Sequence, residues 1–231
     1  RETWVPAAPD DAGAALGAAL YAQHAVHGRP RVGATRPATE PLAVEHGDDG
    51  ARVASPEACA ELLAAGSTLA RMRSAGGEST LGERAALASP AVAGAARALV
   101  EVHSRDPAYR RPLLLLRAQD VDAALELHAG LRRAALERPT RARPTAAWRS
   151  RLAEACLPDG SLRVRLVDPE REGELAALLA ALDERGAPPA LMAVELAQRG
   201  EVPPRNALEA RQRFERSSLD LLDLGGRLYA R

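Results

Sequence analysis

The sequence predicts an α/β protein in which helices flank a twisted mixed sheet. Short apolar runs that read as strands alternate along the chain with longer segments of helical periodicity. The clearest strand is the run of four leucines at residues 113–116, which reads as buried on both faces. The clearest helix spans residues 169–185, and its apolar stripe is expected to lie in the core. The stripe consists of Leu175, Leu178, Leu179 and Leu182.

The first fifty residues predict few regular elements. Residues 3–5 read as the end of a strand, and residues 12–27 as a helix capped by Asp10 or Asp11. Small side chains dominate this helix, so another backbone could approach it closely. Residues 29–50 carry several prolines and glycines without a clear period, which predicts a linker that contains a domain boundary.

The rest of the chain predicts further alternating helices and strands. Ser55 and Pro56 have the residue types of a helix cap and first helical position, and Asp159-Gly160 is a tight-turn signal before a strand. The predicted helices are residues 55–66, 89–102, 121–131, 169–185 and 206–216. The predicted strands are residues 68–72, 113–116, 162–167, 190–194, 219–222 and 228–229. The predicted loops are residues 73–82 and 132–145.

The composition excludes several classes of function. The 31 basic and 31 acidic residues balance, so no overall field would attract nucleic acid or a membrane surface. Every basic residue is arginine, so the sequence offers no lysine for a Schiff base or a phosphate-binding loop. Cys59 and Cys156 show no metal-ligand spacing and suit a reducing compartment. Together with the absence of a signal peptide or spanning segment, this predicts a cytoplasmic protein.

Residues 103–112 combine three arginines, a histidine and an aspartate directly before the leucine strand. Arginine presents a planar fork of donors that matches a phosphate or a carboxylate, and a rigid strand would fix where Arg105 and Arg110 point. The segment therefore predicts an anion clamp. A solvated basic loop is the alternative, because arginine-rich turns are common in arginine-rich chains.

A helix that begins near Asp11 can hold a metal-binding carboxylate or face a phosphate, and plain capping explains the residue equally well. His24 and His27 follow on the same helix. A helix rises about 1.5 Å per residue, so Asp11 and His24 would lie roughly 20 Å apart and could not share a metal within one chain. We interpret both histidines as surface residues.

Five collinear stretches of the sequence share the pattern of one known family. The stretches are PAAPDDAGAALGAA at 6–19, RSAGGESTLGERAALASP at 73–90, HSRDPAYRRP at 103–112, DGSLRVRLVD at 159–168 and RGEVPPRNALEARQRFERSSLDLLDLGGRLYAR at 199–231. In these stretches the chain resembles the O-carbamoyltransferases of the NodU and cephalosporin-tailoring type, and the C-terminal stretch is the most specific.

The resemblance implies a division of the chain into domains. Members of this family join an actin-like domain to a YrdC-like domain. Residues 1–28 would then be the tail of an actin-like domain with its terminal strand and helix, residues 29–50 a linker, and residues 51–231 the YrdC-like domain. The chain would accordingly start within a larger fold.

The resemblance also implies a chemistry and a set of site residues. The YrdC-like half makes carbamoyl-adenylate from carbamoyl phosphate and ATP, and the actin-like half passes the carbamoyl group to a substrate hydroxyl near a metal. Asp11 matches the metal-binding aspartate. Preorganised cations would offset the negative charge that phosphoryl and adenylyl transfer develop. The resemblance places five arginines around that pocket: Arg73, Arg84, Arg105, Arg110 and Arg163.

The sequence departs from the family pattern at polar positions. Glu78-Ser79 stands where the family has Pro-Arg, and His103 where it has lysine. Residues 193–197 replace the family's Asn-Thr-Ser-Phe-Asn with Ala-Val-Glu-Leu-Ala. A carboxylate such as Glu195 about 4 Å from a phosphate charge would cost on the order of 4 kcal/mol at an effective dielectric near 20. That cost corresponds to roughly a thousandfold in affinity.

Three functions are consistent with these residues. We favour a degenerate domain that scaffolds or completes a partner O-carbamoyltransferase in natural-product tailoring, where the partner carries the actin-like domain and ATP and a divalent metal act only in the complex. The small-sided helix at residues 12–27 and the start of the chain within a larger fold point to such a partner. The alternatives are an active subunit with an altered pocket and a non-catalytic module that binds a small anion.

Overall fold

The structure is a computed structural model, and its chain divides into two compact units, Arg1–Thr39 and Glu40–Arg231. In the first unit, helix α1 (Asp11–Tyr21) continues into a π-helical turn, Ala22–Val26, which confirms the predicted helix. The predicted linker boundaries stay a prediction. The structure describes residues 11–30, 42, 51–73, 84–102, 112–196 and 204–231.

The second unit alternates strands and helices, as the sequence predicts. Its helices are α2 (Pro56–Ala64), α3 (Ala95–Val102), α4 (Val121–Ala124), α5 (Arg132–Glu137), α6 (Gly173–Glu184) and α7 (Ala207–Arg216). Its strands are β1 (Arg52–Val53), β2 (Leu69–Met72), β3 (Arg84–Ala88), β4 (Leu113–Arg117), β5 (Leu125–Glu126), β6 (Thr140–Pro144), β7 (Leu162–Val167), β8 (Ala190–Glu195), β9 (Leu221–Leu224) and β10 (Arg227–Ala230).

The strands form one mixed sheet in the order β1-β10-β9-β2-β3-β8-β4-β7-β6-β5. The pairs β2–β9 and β4–β7 are parallel, and the other neighbouring pairs are antiparallel. The prediction of a mixed α/β sheet is therefore confirmed.

Helices cover both faces of this sheet. Side chains that alternate along the strands belong to two separate apolar clusters, as the pleat of a strand requires. One cluster includes α2 and α6 and defines the α2/α6 face, and the other includes α3, α5 and α7 and defines the opposite face. The predicted leucine stripe of α6 lies buried in the first cluster.

Two predicted helix starts are confirmed by their caps. The Ser55 side chain accepts a hydrogen bond from the backbone N–H of Ala58 at 3.2 Å, and proline follows it at the start of α2. The Asn206 side chain accepts from the N–H of Glu209 at 2.9 Å at the start of α7. Each cap satisfies a backbone donor that the helix itself leaves unpaired.

Two predictions between residues 121 and 145 are wrong. The predicted helix over 121–131 ends after α4, because Leu125 turns inward as a buried residue of β5 and pairs with Pro144. The predicted loop over 132–145 contains α5 and β6 instead. The strand β6 alternates exposed arginines with buried residues, a pattern that composition alone does not reveal.

Two further elements differ in part. The helix predicted from residue 89 begins only at Ala95, because the chain first turns through Gly94 with φ +80°. The sequence assigned no element to Arg84–Ala88, which the structure forms as β3. Three of its five residues are alanine, a strong helix former that gives no strand signal.

The hairpin between β9 and β10 confirms the predicted closing pair of strands, shifted by two residues at its first strand. Gly225 and Gly226 have φ values of +57° and +91°. Two-residue hairpin turns require positive φ at one or both positions, which glycine adopts without a steric cost. Within the described ranges, no helix is both long and apolar enough to cross a membrane.

We expect Leu179→Ala to destabilise the protein by about 2–5 kcal/mol, because Leu179 is fully buried on the α6 stripe and its truncation leaves a cavity. Urea unfolding followed by circular dichroism measures the effect. Leu208→Ala is the matched control: this leucine is 65% exposed on α7, and its change should stay within about 0.5 kcal/mol. An unchanged unfolding midpoint in Leu179→Ala would contradict the assignment of the stripe to the core.

Cys59 lies buried between α2 and the sheet. Burial raises the pKa of its thiol from 9.0 to about 11, and the carboxylate of Asp223 raises it further against the opposing effect of Arg71 and Arg73. The thiol is therefore neutral and unreactive at neutral pH.

This pKa predicts a loss of stability in alkali. A thiol whose folded pKa lies above its unfolded value stabilises the protein fully below pH 9, and the contribution disappears as pH rises to about 11. Between pH 9 and pH 11, we expect the ionisation of Cys59 to lower the free energy of unfolding by about 2–3 kcal/mol. Urea unfolding at pH 8 and at pH 11 measures this loss. Between the two pH values, the free energy of unfolding should fall less in Cys59→Ala than in Cys156→Ala. Equal losses in the two variants would refute the assignment.

Candidate functional site

Three of the five predicted arginines lie at one end of the sheet. By the strand pairings, β2, β8 and β9 finish at the end where β3, β4 and β7 begin. Arg73 follows β2, Arg84 opens β3, and Arg163 is the second residue of β7. Arg105 and Arg110 lie outside the described residues. The topology thus collects the described arginines at a common edge, which we call the arginine end.

These three arginines do not share one face. Arg163 alternates with Leu162 and Val164, which belong to the opposite cluster, so Arg163 lies on the α2/α6 face together with Arg73. Arg84 precedes Ala85, a member of the α2/α6 cluster, and therefore lies on the opposite face. Arg84 is thus separated from the other two by the sheet.

Arg73 and Arg163 are also far apart. Four strand intervals separate β2 from β7 in the sheet. Neighbouring strands lie about 4.8 Å apart, so the backbones at Arg73 and Arg163 are roughly 19 Å apart. The described arginines therefore form no single small cluster, and a shared pocket for all five stays a prediction.

The predicted metal residue Asp11 is the first residue of α1, in the first unit. In the same unit, Nδ1 of His24 donates a hydrogen bond to the carbonyl of Arg29 at 2.8 Å. Among the residues that the structure describes, no group of three or more His, Cys, Asp or Glu side chains could hold a metal ion. The role of Asp11 stays a prediction.

One group of charged residues on the α2/α6 face contains two arginines and two carboxylates. We call it the Arg71 cluster, and its members are Arg71, Arg73, Glu174 and Asp223. Arg73 Nε donates to Asp223 Oδ2 at 2.7 Å, and Arg71 Nε lies 3.4 Å from the same oxygen. Glu174, in the first turn of α6, lies 2.9 Å from Arg71 Nη2 and 3.2 Å from Arg73 Nη1. The two guanidinium groups thus contact two carboxylates. One, Asp223, belongs to the sheet, and the other, Glu174, belongs to helix α6.

The two carboxylates differ in burial. Arg71 and Asp223 are 4% and 1% exposed, whereas Glu174 is 66% exposed. Burial raises the pKa of the Asp223 carboxyl above its ordinary value, and Arg71, Arg73 and the N–H of Gly226 oppose that rise. Asp223 is therefore the fixed inner partner of the arginines, and Glu174 the outer partner in contact with water.

Sequence analysis identified Arg73 but missed Arg71, Asp223 and Glu174. A signal was present: Arg71 and Asp223 are charged residues inside strands that are otherwise apolar, and their charges are opposite. In the structure they are direct neighbours in the parallel register of β2 and β9. A buried charge needs a partner of opposite sign, so such a pair of interrupted apolar runs predicts adjacent strands.

A second ion pair lies beside the same helix start. Arg165, on β7, donates through both Nη atoms to the carboxylate of Glu172, with 3.1 Å between Nη1 and Oε2. Glu172 is the cap residue of α6 but makes no side-chain cap hydrogen bond. Its carboxylate accepts hydrogen bonds from Arg165 and none from the backbone amides at the start of α6.

The end of β8 carries the residues that replace the family's polar stretch. Ala193, Val194 and Leu196 are buried, and Glu195 is half-buried on the α2/α6 face. Glu195 pairs in register with Ala85, which pairs with Arg71. Two strand intervals, about 10 Å, separate the backbones at Glu195 and Arg71. Of the residues 193–197, Ala197 lies outside the described ranges.

This face can hold negative charge at fixed positions. Arg71, Arg73 and Arg165 present cationic groups to the first turn of α6, whose free amides carry the positive end of the helix dipole. In the structure, Glu172 and Glu174 supply that negative charge from within the chain. The arrangement suits the binding of oxyanions, because its guanidinium donors are held next to one another at one face.

Comparison with known proteins agrees with the resemblance found in the sequence. Residues 60–231 match the family profile of the carbamoyltransferase C-terminus, a match that extends from α2 to β10 and includes the arginine end and the Arg71 cluster. A comparison with curated proteins gave no match. The family match covers well over half of the chain. The chain therefore belongs to the carbamoyltransferase family, of which it carries the C-terminal domain.

Proposed function

We propose that this chain is a degenerate or partial carbamoyltransferase subunit that does not make carbamoyl-adenylate by itself. It scaffolds or completes a partner O-carbamoyltransferase in natural-product tailoring, in the cytoplasm. The partner carries an actin-like domain, and ATP and a divalent metal act only in the complex. The proposal includes a YrdC-like fold for residues 51–231 and an actin-like tail at residues 1–28, with Asp11 as a contributor to the partner's metal site.

The end of β8 is the observation that carries this proposal. A nucleotide needs hydrogen-bond donors and acceptors from the residues around it, and the buried side chains of Ala193, Val194 and Leu196 supply none. Glu195 adds a carboxylate that repels a phosphate. The fold-defining apolar residues are thus retained where the polar contacts of the family are replaced.

The Arg71 cluster gives further support. Arg73, expected at the phosphate pocket, donates to Asp223 and to the backbone carbonyl of Ala54 and also pairs with Glu174. A cation with its donors already engaged binds a nucleotide phosphate only after those contacts change. As long as Asp223, Ala54 and Glu174 occupy these donors, the arrangement opposes nucleotide binding at Arg73.

The first unit supports a protein partner. Leu20, Tyr21 and Val26 lie on α1 and its π-helical extension and are largely exposed to solvent. Tyr21 and Val26 are 68% and 64% exposed, so burial of their apolar surface against another protein would be favourable. We propose that this helix contacts the partner's actin-like domain.

We expect the pure chain to catalyse no exchange of labelled pyrophosphate into ATP when carbamoyl phosphate and magnesium are present. The physical reason is the replaced stretch at residues 193–197, which removes nucleotide contacts and adds a charge. Counting the label in re-isolated ATP measures the exchange.

Two comparisons sharpen this test. A carbamoyltransferase with the polar stretch intact serves as the positive control. The variant Glu195→Ser restores the residue type of the family at one position but leaves its apolar neighbours, so it should stay inactive. Robust exchange by the unmodified chain would overturn the degenerate assignment and favour the active-subunit alternative.

A small-anion module is the second candidate function, and the adjacent guanidinium groups of Arg71 and Arg73 in the Arg71 cluster favour it. If Arg105 and Arg110 form an anion clamp, phosphate or carbamoyl phosphate should raise the melting temperature. Binding to the native state alone stabilises by about 2.7 kcal/mol at a hundredfold excess over Kd. The double change Arg105→Ala with Arg110→Ala should abolish the shift in a thermal unfolding assay.

The double change Arg133→Ala with Arg138→Ala removes the same charge from exposed positions on and after α5 and should leave the shift intact. If millimolar phosphate does not raise the melting temperature of the unmodified protein, residues 103–112 are a solvated loop. A shift that persists in the Arg105 and Arg110 variant would transfer the site to other arginines, with Arg73 and Arg163 tested next.

A further inference from the structure

We propose that Arg71 and Arg73 form an oxyanion-binding subsite in which Glu174 is a replaceable internal ligand. The phosphate or carboxylate group of a small molecule would bind the two guanidinium groups by displacing the Glu174 carboxylate. The proposal extends the anion role expected of Arg73 to a second arginine and gives Glu174 the role of an internal competitor. It does not depend on adenylate chemistry or on a partner chain.

Hydrogen bonds that do not involve Glu174 hold Arg73 in place, and Arg71 lies in an ion pair with the same Asp223 carboxylate. Arg73 donates through Nε to Asp223 Oδ2 at 2.7 Å and through Nη2 to the carbonyl of Ala54 at 2.9 Å. Asp223 is itself fixed, because its Oδ1 accepts from the N–H of Gly226 at 3.1 Å. An anion that arrives from the α6 side therefore meets an Arg73 guanidinium whose position is already set, which reduces the entropic cost of binding.

Glu174 is the exchangeable part of the cluster. Its carboxylate bridges Arg71 Nη2 and Arg73 Nη1, yet its side chain is 66% exposed to solvent. A side-chain rotation into water would release this carboxylate without disturbing the core. Because the Glu174 carboxylate is already in contact with water, its exchange for an external anion moves no buried carboxylate.

The Nε donor of Arg71 is buried beside Asp223. Arg71 is 4% exposed, and although its Nε lies 3.4 Å from Asp223 Oδ2, it makes no hydrogen bond within the part of the chain that the structure describes. Buried donors of this kind are normally paired. A phosphate carries more acceptor oxygens than the carboxylate of Glu174, so it offers more ways to satisfy the guanidinium groups.

Charge around the site favours an incoming anion once Glu174 has moved. Arg71 and Arg73 balance Asp223 and Glu174 in the structure, and displacement of Glu174 leaves a net positive charge. Glu174 lies in the first turn of the twelve-residue helix α6. The positive end of that helix dipole adds to the attraction. The neighbouring Arg165 is already neutralised by Glu172.

Isothermal titration calorimetry with inorganic phosphate, and separately with acetate, tests the proposal on the whole chain. We expect Glu174→Gln to bind phosphate roughly tenfold more tightly than the unmodified chain, because the internal carboxylate that competes for the donors and repels the anion is gone. Glu184→Gln is the matched control: it makes the same change at an exposed position at the other end of α6 and should bind like the unmodified chain.

A second substitution, at Arg73, tests whether the tighter phosphate binding of Glu174→Gln depends on this arginine. Arg73→Gln in the Glu174→Gln background should return phosphate affinity to the level of the unmodified chain or below, in a protein whose cooperative melting is confirmed by circular dichroism. If that double variant does not fold, Arg73→Lys replaces it. Lysine keeps the charge but not the planar fork, so the gain should shrink rather than vanish.

The outcomes separate the possible ligands. Tighter binding of phosphate alone supports the subsite and assigns it to phosphorylated ligands, and tighter binding of both anions supports it and assigns it to oxyanions in general. Equal affinities in Glu174→Gln and Glu184→Gln, or a gain that survives Arg73→Gln in a folded protein, would overturn the proposal. Neither result bears on pyrophosphate exchange, so this subsite and the proposed function can fail independently.

Discussion

The burial of both faces of the sheet is the constraint on which the rest of the structure depends. A sheet covered by helices on each side needs strands that are apolar at nearly every position, which β4 and β8 satisfy. Any charge inside such a strand must meet an opposite charge. Arg71 does so through Asp223, and Arg117 at the end of β4 does so through Asp120, at 2.5 Å. These two ion pairs are thus a consequence of the layered core.

The parts of the fold that follow from local pattern were predictable. The strands at residues 113–116 and 162–167 are continuous or alternating apolar runs, and the α6 stripe repeats at the helical period. The failures lie where tertiary pairing overrides local preference. Residues 121–131 have a helical pattern, but Leu125 is more stable in a short pair with β6 than in a continued helix. The alanine-rich β3 is a strand because two neighbours pair with it.

The site was predictable only by residue type. The sequence shows which residues are arginine, and the family resemblance assigns five of them to one phosphate pocket. Neither shows that Arg84 and Arg73 lie on opposite faces of the sheet. That separation depends on the parity of positions along two antiparallel strands, which becomes known only with the register. Asp223 escaped notice for a related reason, since its partners lie on a strand that is distant in sequence.

The parallel pairing of β2 with β9 has a consequence for synthesis. Arg73 and Asp223 are 150 positions apart, so the ribosome releases β2, with Arg71 inside it and Arg73 directly after it, long before the buried carboxylate of Asp223 exists. Until β9 arrives, one side of β2 lacks its final neighbour, and an unpaired strand edge readily joins another chain. A strand that is made late, β9, therefore fills an interior position of the sheet, and until it is made the edge of β2 that faces β9 is open to pairing with another chain unless a chaperone protects it.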